Sequence, residues 1–179
     1  MMPIGPLMKE HRVIERMIKL MKEESRRIEE KKEADVGFID KAIDFIRSYA
    51  DRCHHGKEEG ILFRNLLKKS LSAEHKQTID ELIKEHVYGR KMTQSLAEAR
   101  ESYTKGNKEA LNDIKTFMQT LAEFYPRHIE KEDKRFFLPV MNYFNKEEQS
   151  FMLDEFLEFD QNLVHEKYKS LIKDMQSKK

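Results

Sequence analysis

Four stretches of this chain carry apolar residues at spacings of three and four, and in each stretch histidine takes one of the apolar slots. They read Leu7, His11, Ile14, Ile18, Met21; then Ile43, Ile46, Ala50, His54, Glu58, Ile61; then Ile79, Leu82, His86, Gly89, Thr93, Leu96; then Leu111, Ile114, Met118, Leu121, Tyr125, His128, Glu132. Such spacing lines residues along one face of an α-helix, the face that a helical bundle buries. Helices are expected from about 6 to 30, 36 to 69, 73 to 103 and 108 to 144, with a fifth from about 146 to 177. Ser72 and Asn145 stand where the third and fifth need a cap, and Gly106-Asn107 separates the third from the fourth. Short joints make neighbours antiparallel, so the expected fold is all-α: an up-down-up-down four-helix bundle with an additional C-terminal helix. One domain is expected over 1–179, its bundle core at about 7–144.

Composition agrees with this reading. Six glycines and four prolines among 179 residues are too few for the turns of an all-β chain. The longest apolar run, 136–141, falls far short of the roughly 20 residues that span a bilayer. The N-terminus shows neither a basic segment nor an apolar core, so a cytoplasmic location without membrane contact is expected. Lys and Arg number 34 against 33 Asp and Glu, which leaves no field to gather nucleic acid. The single cysteine, Cys53, excludes an internal disulfide and a multi-thiolate metal cluster, and its expected role is that of a small inert hydrophobe.

The histidines share one level of the bundle. His11 and His54 lie 22 and 21 residues from the first joint, and His86 and His128 lie 20 and 22 from the third. At about 1.5 Å per residue these differences amount to a few ångström. Glu58 and Glu132 sit one turn beyond their histidines on the same stripes, and a buried glutamate needs a strong partner. Two of them beside histidines point to a cation. The motif is also doubled: His54-x-x-x-Glu58-Glu59-x-x-Leu62-Phe63 matches His128-x-x-x-Glu132-Asp133-x-x-Phe136-Phe137.

These residues, with Glu10-His11-Arg12 and Glu85-His86, resemble the hemerythrin family in its HHE-type cation-binding branch over about 7–144. The resemblance implies a bundle holding two irons bridged by two carboxylates and an oxo or hydroxo oxygen. It implies His11, His54, His86 and His128 as terminal ligands and Glu58 and Glu132 as bridges. Two departures stand out. Where the oxygen carriers have a second histidine on the third helix, this chain has Arg90, and Asp133 competes with Glu132 for the second bridge. Glu132 is preferred because it mirrors Glu58 and lies on the stripe.

His165 is expected to replace the missing histidine, since it lies at the right level although its helix must bend near Asp160 to face the site. His55, about 100° around the helix from His54, is expected at the surface or orienting a ligand. His75 is expected in solvent. Glu59 and Asp133 are expected either to orient ligand histidines or to be solvated. Imidazole and carboxylate donors suit iron, with manganese or zinc as other occupants. The expected function is a non-haem di-iron protein that binds, senses or detoxifies oxygen, nitric oxide or peroxide, or stores iron. That makes it a metal- and small-ligand-binding protein rather than a dedicated enzyme. A helical interaction or regulatory module with a structural metal site, or iron–sulfur cluster repair, is the alternative. Ferritin-like oxidase chemistry is disfavoured because no Glu-x-x-His occurs at these histidines.

Overall fold

The first apolar stripe becomes α1, Ile4–Lys31, which ends where Lys32 enters the left-handed region at φ 54° and returns its N–H to the Ile28 carbonyl. Asp35 then opens α2 by accepting the Phe38 N–H at 2.9 Å. This helix spans 36–66 and changes pitch along its length. Val36–Phe45 is α-helical, Ile46–His55 and Glu58–Phe63 are π-helical, and Arg64–Leu66 closes it as α-helix. Ser72 caps α3, Ala73–Thr104, through the His75 N–H at 3.2 Å. Gly106, at φ 99°, makes the reversal that follows, a conformation that costs a glycine little.

The fourth helix, α4, spans 110–140. Its α-helical part, Ala110–Lys131, runs through Pro126 without a break, and a π-helical turn, Glu132–Phe136, leads into Phe137–Val140. Asn145 and Glu148 then exchange hydrogen bonds of 2.9 and 3.0 Å, side chain to backbone in both directions, and this reciprocal cap starts α5, Lys146–Ser177. The structure is a computed structural model that describes residues 2–177, with side chains through residue 163. Among the described residues none is in a strand, and no helix is long and apolar enough to cross a membrane.

In the bundle α1 packs on α4, α4 on α3, α3 on α2 and α2 on α1, while α5 lies against the π-helical part of α2. Every stripe residue named above is buried apart from Leu111, which is half-buried. The core is not continuous. One apolar cluster, with Ile18, Met21, Ile39, Leu96, Ile114 and Met118, fills the end nearest the α1–α2 joint. A second, with Leu7, Leu62, Leu66, Leu82, Phe136 and Val140, fills the other end and takes in Met152 and Phe156 of α5. Between them lies a polar layer.

The fifth helix is anchored by a close apolar approach as well as by ion pairs to Asp160 and Glu155. A Cβ on Gly56 would come within 2.8 Å of the Phe159 ring, so glycine there permits α5 to approach. Phe156 is buried at 3% exposure, and its ring lies 5.9 Å below the Lys57 ammonium. Phe156→Ala is expected to cost about 3 kcal/mol, as a large cavity at the α2–α5 contact would. Urea unfolding of the variant against the parent chain measures it.

Candidate metal centre

The polar layer consists of His11 from α1, His54, His55 and Glu58 from α2, His86 from α3, and His128 and Glu132 from α4, each no more than 2% exposed. Among the described residues ten buried side-chain nitrogen and oxygen atoms lack a hydrogen-bond partner. Apart from Arg100 Nε, these are the Nε2 atoms of the five histidines and all four oxygens of Glu58 and Glu132. Buried polar atoms in folded proteins are nearly always satisfied. Nine orphans converging in one layer are a donor set.

Two groups can be distinguished within it. His11, His54, Glu58 and Glu132 offer donor atoms within 4.8 Å of one another, and so do His55, His86 and His128. The carboxylates reach across both groups. Glu58 places one oxygen 3.4 Å from His54 Nε2 and the other 3.4 Å from His86 Nε2. Glu132 places one oxygen 3.1 Å from His11 Nε2, and its other oxygen lies 3.4 Å from His128 Nε2 and 3.7 Å from His86 Nε2.

Each ring is aimed inward by a carboxylate on its far nitrogen. The Nδ1–H groups of His11, His54, His86 and His128 donate to Asp133, Glu10, Glu59 and Glu85 at 2.7 to 2.9 Å, and that of His55 donates to Asp51 at 3.4 Å. This fixes the tautomer that leaves Nε2 free, the arrangement common around ligating histidines. A cation holds every one of these carboxylates: Arg12 on Asp133, Lys57 on Glu10, Lys131 on Glu85, and Arg90 on both Asp51 and Glu59. Lys57 is fully buried and also meets Asp160 of α5 at 2.8 Å. Phenylalanines pack on the rings, Phe137 on His11 at 5.5 Å and Phe63 on His86 at 6.1 Å.

The structure brings six of the seven residues expected from the sequence into this layer: His11, His54, Glu58, His86, His128 and Glu132. His165, the seventh, lies outside the residues whose side chains are described. Asp133 is turned away from the centre, engaged by His11 and Arg12, whereas both Glu132 oxygens face inward. His55 departs from the surface position that α-helical geometry gives it. It is 2% exposed and stacked on His86 with centroids 3.9 Å apart. The reason is local: the helix is π-helical through Ile46–His55, and its wider i→i+5 turn brings His55 round to the side of His54. His75 is half-buried rather than solvated, its ring hydrogen-bonded to the Tyr143 hydroxyl at 2.9 Å.

Comparing the two His-x-x-x-Glu segments alone leaves out Lys57, Lys131, Glu10 and Glu85. The repeat itself contains the signal for them. Lys57 and Lys131 each stand three residues after a motif histidine, and Glu10 and Glu85 each stand directly before another. Cys53 is outside the layer, its thiol donating to Asp160 at 3.3 Å and pushed up to about 12 by burial first of all, which disfavours the thiolate.

Burial and paired charge oppose each other across the layer. Burial disfavours charge on His11, yet Asp133 and Glu132 outweigh it and lift the ring to about 10. Against the same burial, Glu58 and Glu10 lift His54 to about 9, and Glu132 and Glu59 lift His86 to about 9. His55 goes the other way, held well below its ordinary value by burial and by His86 and His128. Burial works against charge on Glu132 too, but His128 and His11 hold it well below the usual carboxylate range. Raised imidazoles stabilise the metal-free fold fully below their ordinary value of 6.5, and that contribution disappears as pH climbs through 9 to 10. Melting temperatures of the chelator-treated protein are therefore expected to fall steadily from about pH 6.5 to 10. A flat profile over that window would contradict the electrostatic account.

Searches of curated proteins and of solved structures each returned no match. The family described as Hemerythrin HHE cation binding domain matches residues 2–138. That span runs from before α1 to within two residues of the end of α4 and includes every residue of the polar layer, and the chain belongs to the hemerythrin HHE cation-binding family.

Proposed function

We propose that this chain holds two iron ions between Glu58 and Glu132 and binds a small diatomic molecule or peroxide there. The observation that carries the reading is the set of nine orphaned donors. One ion of about four to six coordination would leave several of them unpaired, at roughly 1–3 kcal/mol each. Two ions sharing both carboxylates leave none. His11 and His54 serve one ion, His55, His86 and His128 the other, and Glu58 and Glu132 bridge them. Nitrogen and carboxylate donors without thiolate suit iron, and also admit manganese or zinc.

Iron held this way supplies reversible electron donation and a position for an external ligand. The rest is the work of the chain. Glu10, Asp51, Glu59, Glu85 and Asp133 keep the imidazoles in the ligating tautomer. The two apolar clusters keep bulk water from the layer. The half with two histidines has fewer protein donors than the half with three, so it is where an added ligand fits. In this reading α5 belongs to the same domain as the bundle, and the protein works in the cytoplasm as a metal- and small-ligand-binding protein.

Elemental analysis after anaerobic reconstitution with ferrous iron is expected to give two irons per chain, and azide is expected to shift the visible spectrum of the oxidised protein. One zinc per chain, with no ligand-to-metal absorption after reconstitution, would refute the proposal. Glu58→Ala and Glu132→Ala are each expected to abolish stable dinuclear loading, while Asp133→Ala weakens it by about 10- to 100-fold. The fifth histidine is tested by a pair of variants. His55→Ala is expected to lower the content towards one iron, and His165→Ala to leave two. The reverse result would make His165 the ligand.

A further inference from the structure

The polar layer with its carboxylates and cations is built twice, except at four positions. Glu10-His11 corresponds to Glu85-His86, and His54, Lys57, Glu58, Glu59 and Phe63 correspond to His128, Lys131, Glu132, Asp133 and Phe137. The partners correspond as well. Glu10 and Glu85 each take the Nδ1–H of a motif histidine and a motif lysine, and Glu59 and Asp133 each take the Nδ1–H of the other histidine. Counted from the same anchors, Asp51 corresponds to Tyr125, His55 to Ile129, Arg90 to Glu15 and Arg12 to Val87. These four pairs break the repeat, three of them through Asp51, His55 and Arg90 on one side.

The three residues that break it on one side are joined to each other. Arg90 Nε donates to Asp51 Oδ1 at 2.7 Å, and that oxygen is the acceptor of the His55 Nδ1–H. A terminal nitrogen of Arg90 donates to Glu59 Oε1 at 2.7 Å, and that oxygen is the acceptor of the His86 Nδ1–H. One guanidinium therefore fixes the acceptors of two of the three histidines in one half of the centre. Arg12 and Lys131 hold only Asp133 and Glu85 among the orienting carboxylates, and neither touches Asp51 or Glu59.

The clamp has something to hold. Asp51 and Glu59 are 26% and 30% exposed at the side chain, so water competes for them. The His55 contact to Asp51, at 3.4 Å, is the longest of the five, and His55 and His86 are stacked closely enough that moving one ring moves the other. A planar fork of donors fixes the direction of two carboxylates as well as their distance, whereas an ammonium, as a rotating point charge, fixes only the distance. We propose that Arg90 is the positioning residue of the three-histidine half: by holding Asp51 and Glu59 in one fork it sets His55 and His86 as a pair, and so makes the two halves hold metal unequally. The inference rests on the two-ion reading above.

Cobalt(II) titration of the metal-free full chain, followed by its visible absorption, tests it. The parent chain is expected to show two binding steps; a single step would refute the two-ion reading before any variant is made. Arg90→Met is expected to weaken one step by about 10- to 100-fold and leave the other within about threefold. Arg12→Met, which releases Asp133 instead, is expected to weaken the other step, and Arg90→Lys to restore less than half of the loss. Asp51→Asn, with Arg90 in place, is expected to weaken the same step as Arg90→Met, and it carries the test if Arg90→Met does not fold. Unchanged steps and spectrum in Arg90→Met, or an equal loss at both steps, would overturn the proposal.

Discussion

Two glutamates in the middle of a helical bundle set the terms for everything around them. Glu58 and Glu132 have no exposed surface, and their four oxygens face the Nε2 atoms of His11, His54, His86 and His128. A carboxylate in that position is tolerable only against compensating positive charge. In the metal-free chain the charge comes from imidazoles lifted above their ordinary range, and in the proposed loaded state it comes from the ions. The core divides accordingly into an apolar cluster on each side, packed by the same stripes that carry the histidines.

The histidines depend on a further ring of carboxylates, and these depend on cations. A neutral imidazole can bond through either nitrogen, and the carboxylate at Nδ1 selects the tautomer with Nε2 free. Those carboxylates are only partly buried, so without Arg12, Lys57, Arg90 and Lys131 they would turn to water. At the centre itself the carboxylates with no exposed surface are Glu58 and Glu132, and the surrounding carboxylates and cations set the direction of the rings that face them. The chain from His54 through Glu10 and Lys57 to Asp160 extends this order to α5.

Much of this was legible in the sequence, and the part that was not has a definite cause. The stripes show the helices because a half-buried α-helix must repeat at 3.6 residues, and Ser72 and Asn145 show two starts because exposed N–H groups need an acceptor. His11, His54, His86 and His128 stand out because a polar residue in an apolar slot contradicts its surroundings. His55 does not stand out, since its burial depends on a change of helical pitch that an α-helical count excludes. For the same reason the count reaches as far as His165 for a fifth histidine. Lys57 is hidden by its chemistry: a lysine between two carboxylates reads as surface until the fold buries it.

The change of pitch also explains a spacing that the doubled motif contains. Phe63 stands five residues after Glu58, and Phe137 five after Glu132. In an α-helix those pairs would diverge by about 140°, so a glutamate aimed at the centre would send its phenylalanine elsewhere. In both segments the π-helical stretch begins at the glutamate, over Glu58–Phe63 and Glu132–Phe136. A wider turn brings position i+5 back beneath position i, and the phenylalanine then lies flat against a histidine of another helix, Phe63 on His86 and Phe137 on His11. Such turns are rare because their packing is poorer than that of an α-helix, and they collect at functional sites. Here they let one strip of helix present the histidine, the carboxylate and the apolar plate behind a neighbouring ring. On α2 the same device admits His55 beside His54, which α4, with Ile129 in that place and α-helical there, does not do.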